Sequence, residues 1–101
     1  MRCIESRIHE LLIKHRKTVS IAESCTGGLV SEILTRLPLS SRYFIFGAVV
    51  YSNESKKNIL RIPSQIITKK GAVSKEVAQK MSESIRRLTK TDFGIGITGI
   101  A

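Results

Sequence analysis

The sequence predicts an α/β domain, a mostly parallel sheet with helices on both faces in three layers. Three observations lead there. Apolar residues recur at helical spacing in residues 3–16, 29–37 and 74–88, and between these stretches lie three short apolar or β-branched runs, 18–22, 43–51 and 92–98. Each run leads into a polar or glycine turn, "ESCTGG", "YSNESK" and "TGIA". A composition of 42% apolar and 25% charged residues is that of one ordinary globular domain, expected to span residues 1–101.

Taken in order, Ile4, Ile8, Leu11, Leu12 and His15 with charges between them predict an amphipathic first helix. "TVSIA" alternates Val19 and Ile21 and predicts a short strand. Leu29, Val30, Ile33, Leu34 and Leu37 restore helical spacing until Pro38 and "PLSSR" break it. The run "YFIFGAVVY" is apolar at almost every position, which predicts a central strand covered on both faces, and Gly47 inside it implies close approach of another backbone. A helix then begins near Asn53, and Pro63 interrupts. Ser74 and Glu76 are a cap and a first-turn acid for a further helix whose buried stripe is Val77, Met81, Ile85 and Leu88. In "DFGIGIT", Gly94 and Gly96 share one face of a last strand and leave room for something to lie against it. An α/β domain ordinarily continues past such a strand, so the domain is expected to lack its C-terminal part, and the uncovered strand surface makes a homo-oligomer the expected state.

Composition narrows the function classes. No apolar run reaches the roughly 18 residues of a membrane helix, and "MRCIESRIHE" has no signal-peptide core, so a cytoplasmic protein without a membrane partner is expected. Two cysteines without CxxC spacing predict free thiols, and His9, His15, Cys3 and Cys25 are too few and too dispersed for a metal site. A net charge of +9 favours anionic partners, although the basic residues are scattered in pairs such as Lys56-Lys57 and Lys69-Lys70. Aromatic residues are not interleaved with basic ones as in single-strand binders, which argues against nucleic acid.

Parallel α/β sheets bind ligands at the C-terminal ends of their strands. Here the three ends carry most of the polar chemistry. Ser24 sits in the turn after the first strand, where it is either a nucleophile or, with Thr26, a helix cap, and Gly27 and Gly28 let backbone approach an anion closely. The stretch is neither GxSxG nor a Walker loop. Both histidines fall on the first helix, which leaves Lys56 as the candidate base, if burial lowers its pKa, or else a solvated helix lysine like Lys57. Tyr51 is either a strand-end packing residue or a phenol that orients a ring, and Cys25 is a competing nucleophile or an inward-packed thiol.

Four motifs then agree in order. "AESCTGGLV", "GAVVYSNESK", "GAVSKEVAQKM" and "GITGIA" together resemble the C-terminal domain of the CinA family, the nicotinamide mononucleotide deamidases, from about Ile8 to Ala101. That resemblance implies hydrolysis of the carboxamide of nicotinamide mononucleotide to ammonia and nicotinic acid mononucleotide, with no metal or organic cofactor. On the matching positions it implies Ser24 as nucleophile, Lys56 as its base and Tyr51 on the substrate side of the pocket. Thr26, Gly27 and Gly28 would hold oxyanion or phosphate, and Asn53, Thr98 and Gly99 would complete the substrate site. Family members continue past "TGIA" with further elements of sheet and pocket, so the rival expectation is a non-catalytic remnant that binds a nucleotide or self-associates.

Overall fold

The computed structural model describes residues 3–100. The chain runs α1 (Ile4–His15), β1 (Val19–Glu23), α2 (Leu29–Leu34), a single 3-10 turn at Ser40–Arg42, β2 (Phe44–Val49), α3 (Asn53–Asn58), α4 (Ser64–Lys70), α5 (Lys75–Thr89) and β3 (Phe93–Ile97). The three strands form one parallel sheet in the order β2-β1-β3. The α/β class and the layered arrangement expected from the sequence are therefore present, with β1 at the centre.

Every residue of β1 is buried, and alternation sends its side chains to two different cores. Val19 and Ile21 pack with Leu34 and Tyr43, beneath Ile8, Leu12 and Ile13 of α1 and Val30 of α2. Ala22 faces the other way, into a core of Val50, Leu60, Ile62, Ile67, Val77, Met81 and Ile85. Two buried hydrogen-bonding sets pin these layers. The Tyr43 hydroxyl donates to the Leu34 carbonyl at 3.1 Å and meets His9 Nδ1 at 2.8 Å. Ser20 Oγ lies 2.8 Å from Thr91 Oγ1 and accepts from Thr89 Oγ1 at 2.9 Å. His9 is thus a half-buried structural partner, whereas His15 is exposed.

The helix N-termini follow the expected chemistry. Ser52 Oγ accepts from Ser55 N and Ser74 Oγ accepts from Val77 N, each satisfying a first-turn donor that the helix cannot. Gly94 and Gly96 are open for the reason expected. A Cβ at either would run into the α5 backbone, at the carbonyls of Ser82 and Ala78.

Four expectations are corrected. β2 is an edge strand, not a central one: only β1 flanks it, Ile45, Phe46 and Val49 are exposed, and Ile45 is an extra residue in the register, since Val19 pairs with Phe44 and Ser20 with Phe46. What approaches Gly47 is a side chain, Ser31, whose Oγ would lie 2.7 Å from an added Cβ. Leu88 is exposed, because the α5 stripe leaves the core one turn earlier, at Ile85. The helix α4 was not anticipated; it starts directly after Pro63, a residue compatible with a helix start, and buries only Ile67, too little for a readable period.

The connection from β1 to β2 covers one face of the sheet through α2, and the connection from β2 to β3 returns across the other face through α5. The two crossovers therefore run in opposite directions on opposite faces, which makes the C-terminal end of β1, beside β3, a topological switch point, the kind of place where such sheets bind ligands.

Candidate active site

Glu23 ends β1 and Ser24 follows it, and by strand alternation the two turn to opposite sides of the sheet. The Glu23 side chain goes to the start of α2. One carboxylate oxygen accepts from Thr26 Oγ1 at 2.5 Å, Gly28 N at 3.2 Å and Val30 N at 3.1 Å, and the other accepts from Ser31 N at 2.8 Å and Ser31 Oγ at 2.6 Å. Glu23 is completely buried. Burial by itself would push its carboxyl up, but the hydrogen bonds from Ser31, Thr26 and Val30 together outweigh that and hold it below the ordinary carboxylate value. The helix cap expected of Ser24 or Thr26 is thus supplied by the residue before them.

Freed from capping, Ser24 meets Lys56. The chain turns through Gly27 and Gly28, both at positive φ, while Ser24 N donates to the Ile97 carbonyl and Val50 N to the Glu23 carbonyl. These two bonds draw the ends of β3 and β2 against the end of β1. Ser52 caps α3, and Lys56 in the middle of that short helix turns inward rather than into solvent. Its Nζ lies 2.9 Å from Ser24 Oγ and donates to the Val50 and Tyr51 carbonyls, also at 2.9 Å. Lys56 is 1% exposed and Ser24 6%. Burial lowers the Lys56 pKa, against a smaller opposing pull from Cys25. A neutral amine has two N–H groups and one lone pair. In this arrangement Nζ donates to Ser24 Oγ and the Ser24 hydroxyl faces the Tyr51 carbonyl at 3.5 Å; in the neutral form, with two carbonyls taking the N–H groups, the third direction, toward Ser24 Oγ, would hold the lone pair.

The other sequence candidates fall at varying distances from this pair. The Tyr51 ring is 65% exposed, and its carbonyl, rather than its phenol, is what holds Lys56. Asn53 is exposed at the start of α3 and lines a surface hollow with Lys57, Ser64 and Thr68. Thr98 Oγ1 donates to the Ala72 carbonyl at 2.8 Å, tying the end of β3 to the loop before α5. Gly99 lies against Cys25, whose Sγ would be 3.2 Å from a Cβ at that position. The expected anion cradle of Thr26, Gly27 and Gly28 is occupied from within: the Thr26 hydroxyl and the Gly28 N–H face Glu23, and Gly27 N donates to the Ser24 carbonyl. Among the described residues, the N–H groups of Cys25 and Thr26 are the ones in this turn without a partner.

Glu23 is the buried polar residue beside this pair that sequence reasoning missed. Its signal was present as a Glu at the last strand position three residues before a Thr and eight before a Ser, but a carboxylate in a β-strand reads as solvated until the helix is seen to start beneath it. No group of three or more His, Cys, Asp or Glu that could hold a metal occurs among the described residues, nor is any described helix long and apolar enough to cross a membrane.

Comparisons with known proteins bear on the family and the fold. The CinA C-terminal domain family model matches residues 1–101. A CinA-like protein of Leptospira biflexa is 50% identical over 94 residues, 93% of this chain and 22% of that protein. A CinA-like protein of Desulforapulum autotrophicum is 44% identical over 98 residues, 97% of this chain and 23% of that protein. The crystal structure of a competence damage-inducible protein A from Klebsiella pneumoniae superposes with a TM-score of 0.85 at 30% identity, over 87% of this chain and 55% of that one. The chain spans about a quarter of the length of the curated relatives it matches. On the match over its whole length and the shared fold, the chain belongs to the CinA C-terminal domain family.

Proposed function

We propose that this protein is an amidohydrolase that cleaves the carboxamide of a phosphorylated pyridine riboside, nicotinamide mononucleotide, with Ser24 as nucleophile and Lys56 as its base. The observation that carries the reading is the buried contact of 2.9 Å between Lys56 Nζ and Ser24 Oγ at the C-terminal end of the central strand. An unassisted serine hydroxyl is a poor nucleophile, and a lysine made less basic by burial is an established partner for it.

In this reading Ser24 Oγ attacks the amide carbon as its proton passes to neutral Lys56 Nζ. The tetrahedral oxyanion has the N–H groups of Cys25 and Thr26 as the turn's available donors. Collapse breaks the C–N bond, Lys56 returns the proton to the leaving nitrogen, and ammonia departs, leaving an ester on Ser24. Water then attacks the ester with Lys56 taking its proton, and the acid mononucleotide leaves as Ser24 regains a proton from Lys56. Tyr51, Asn53, Thr98 and Gly99 would form the substrate side in this reading. The net charge of +9 suits a substrate carrying phosphate. The exposed apolar residues on both sheet edges, Ile45, Phe46 and Val49 on β2 and Phe93 and Ile95 on β3, support self-association in solution.

Product analysis tests the substrate. The chain incubated with nicotinamide mononucleotide should yield ammonia and nicotinic acid mononucleotide in equal amounts, while free nicotinamide and nicotinamide riboside, which lack the phosphate, react far more slowly. Equal rates on free nicotinamide would contradict the proposed class.

A further inference from the structure

We propose that Glu23 is the positioning residue of this site: its buried carboxylate clamps the turn after β1 so that Ser24 is held against Lys56. The inference rests on the reading of Ser24 and Lys56 as the reacting pair. Five donors from four residues converge on one carboxylate, all within eight residues of chain. Three of them are N–H groups of the first turn of α2, which a six-residue helix leaves without internal acceptors. The remaining two are hydroxyls, from Thr26 within the turn and Ser31 within the helix, so the clamp joins the two segments on either side of Gly27-Gly28.

Those glycines leave the turn more backbone freedom than other residues would, which the clamp removes. Gly27 and Gly28 have φ of 62° and 105°; nothing lies within 4 Å of a Cβ at Gly27, Val49 lies 3.4 Å from one at Gly28, and within the turn the backbone bonds are Gly27 N to the Ser24 carbonyl and Leu29 N to the Thr26 carbonyl. The carboxylate adds the bonds that tie the turn to the start of α2. Because Glu23 and Ser24 are adjacent and face opposite sides, tightening the chain onto Glu23 on one side fixes where Ser24 emerges on the other. Ser31 carries the clamp onward to the edge strand, since its Oγ fills the space left by the missing side chain of Gly47.

A second consequence follows for the substrate. The start of α2 already holds a negative charge, so these N–H groups are not free to take the phosphate of the substrate as the glycine-rich turn implied from sequence.

The test is Glu23→Ala in the whole chain, with and without sodium formate at constant ionic strength. Formate has the carboxylate and fits the space vacated. Glu23→Ala is expected to lose on the order of 100-fold in kcat, the cost of a displaced reacting group, with a smaller change in KM. Added formate should restore part of that loss saturably in Glu23→Ala and leave the wild type unaffected. Glu32→Ala, which removes an exposed carboxylate bonded to Arg36 one turn away, should behave as wild type. A folded Glu23→Ala protein with wild-type kcat, or a loss that formate does not relieve, would overturn the proposal. If the wild type hydrolyses no nicotinamide mononucleotide, the functional reading fails on its own, and the same titration is then read from amide NMR signals. Return of the displaced Ser24 and Cys25 signals toward their wild-type positions with formate supports the clamp, and signals that never moved on substitution overturn it. Where Glu23→Ala does not fold, Glu23→Gln keeps the volume and loses the charge; a folded Glu23→Gln protein with unmoved Ser24 and Cys25 signals likewise overturns the proposal, and displaced ones support it.

Discussion

Lys56 reaches Ser24 from 32 residues away, and the contact is made inside the protein, with the amine almost wholly removed from water and its other two directions taken by the carbonyls of Val50 and Tyr51. Burial pulls the pKa of this amine down from its ordinary value. A charged one would lose hydration that two carbonyls and a hydroxyl replace only in part.

The pH dependence follows from the sign of this shift. The Lys56 pKa is lowered from 10.5 by burial, so the base form is populated at lower pH than for a free lysine. Hydrolysis is expected to rise with pH through a single midpoint below 10.5 and then level off, read as kcat/KM across the range. Stability moves the same way. Between the lowered folded value and 10.5 the unfolded chain binds more protons, so resistance to urea increases as pH rises across that window. A Lys56→Met variant should lose that alkaline rise.

Glu23 acts at the other end of the scale. Its folded pKa lies below the ordinary 4.5, so its contribution to stability is complete above 4.5 and is lost as pH falls through the folded value. Asp92, held low by two hydrogen bonds from Thr18, contributes in the same direction. Glu23→Gln should therefore be destabilised most near neutrality, by about 1–3 kcal/mol for donors left without an ionised acceptor, and the gap from wild type should narrow in acid. Thermal melts from neutral pH down to below 4.5 would show it.

The glycines separate two physical causes. Gly96→Ala places a methyl group against the α5 backbone, which cannot yield as a side chain can, and is expected to cost about 3 kcal/mol or to prevent folding. Gly27→Ala meets open space and suffers only the left-handed backbone, a cost of about 1–2 kcal/mol. Urea titration of both should give that order; a larger loss at Gly27 would mean that the turn, not the helix–sheet contact, is the sterically critical place.

What the sequence revealed and what it hid have physical reasons. The strand-turn-helix at residues 19–34 was legible because Val19 and Ile21 alternate and Leu34 returns at helical spacing, whereas strand topology brought Ser24 and Lys56 to one rim but left Lys56 equally readable as a solvated helix lysine, and only the family resemblance paired them. The place of "YFIFGAVVY" was misread. An apolar run of that kind describes a strand that wants cover, and here Ile45, Phe46 and Val49 stand at an edge without it. Glu23 stayed invisible because its five partners are donors on backbone and short hydroxyl side chains, which carry no charge pattern for a sequence to display. Tyr51 was singled out for its ring, while the structure uses its carbonyl, a group every residue has.

The most direct measurement is ammonia release from nicotinamide mononucleotide by the wild-type chain beside Ser24→Ala and Lys56→Ala, each confirmed as folded by circular dichroism. The account predicts release by the wild type and a loss of at least about 1,000-fold in both variants, of similar size because nucleophile and base act as a unit. Undiminished release by Ser24→Ala would contradict it.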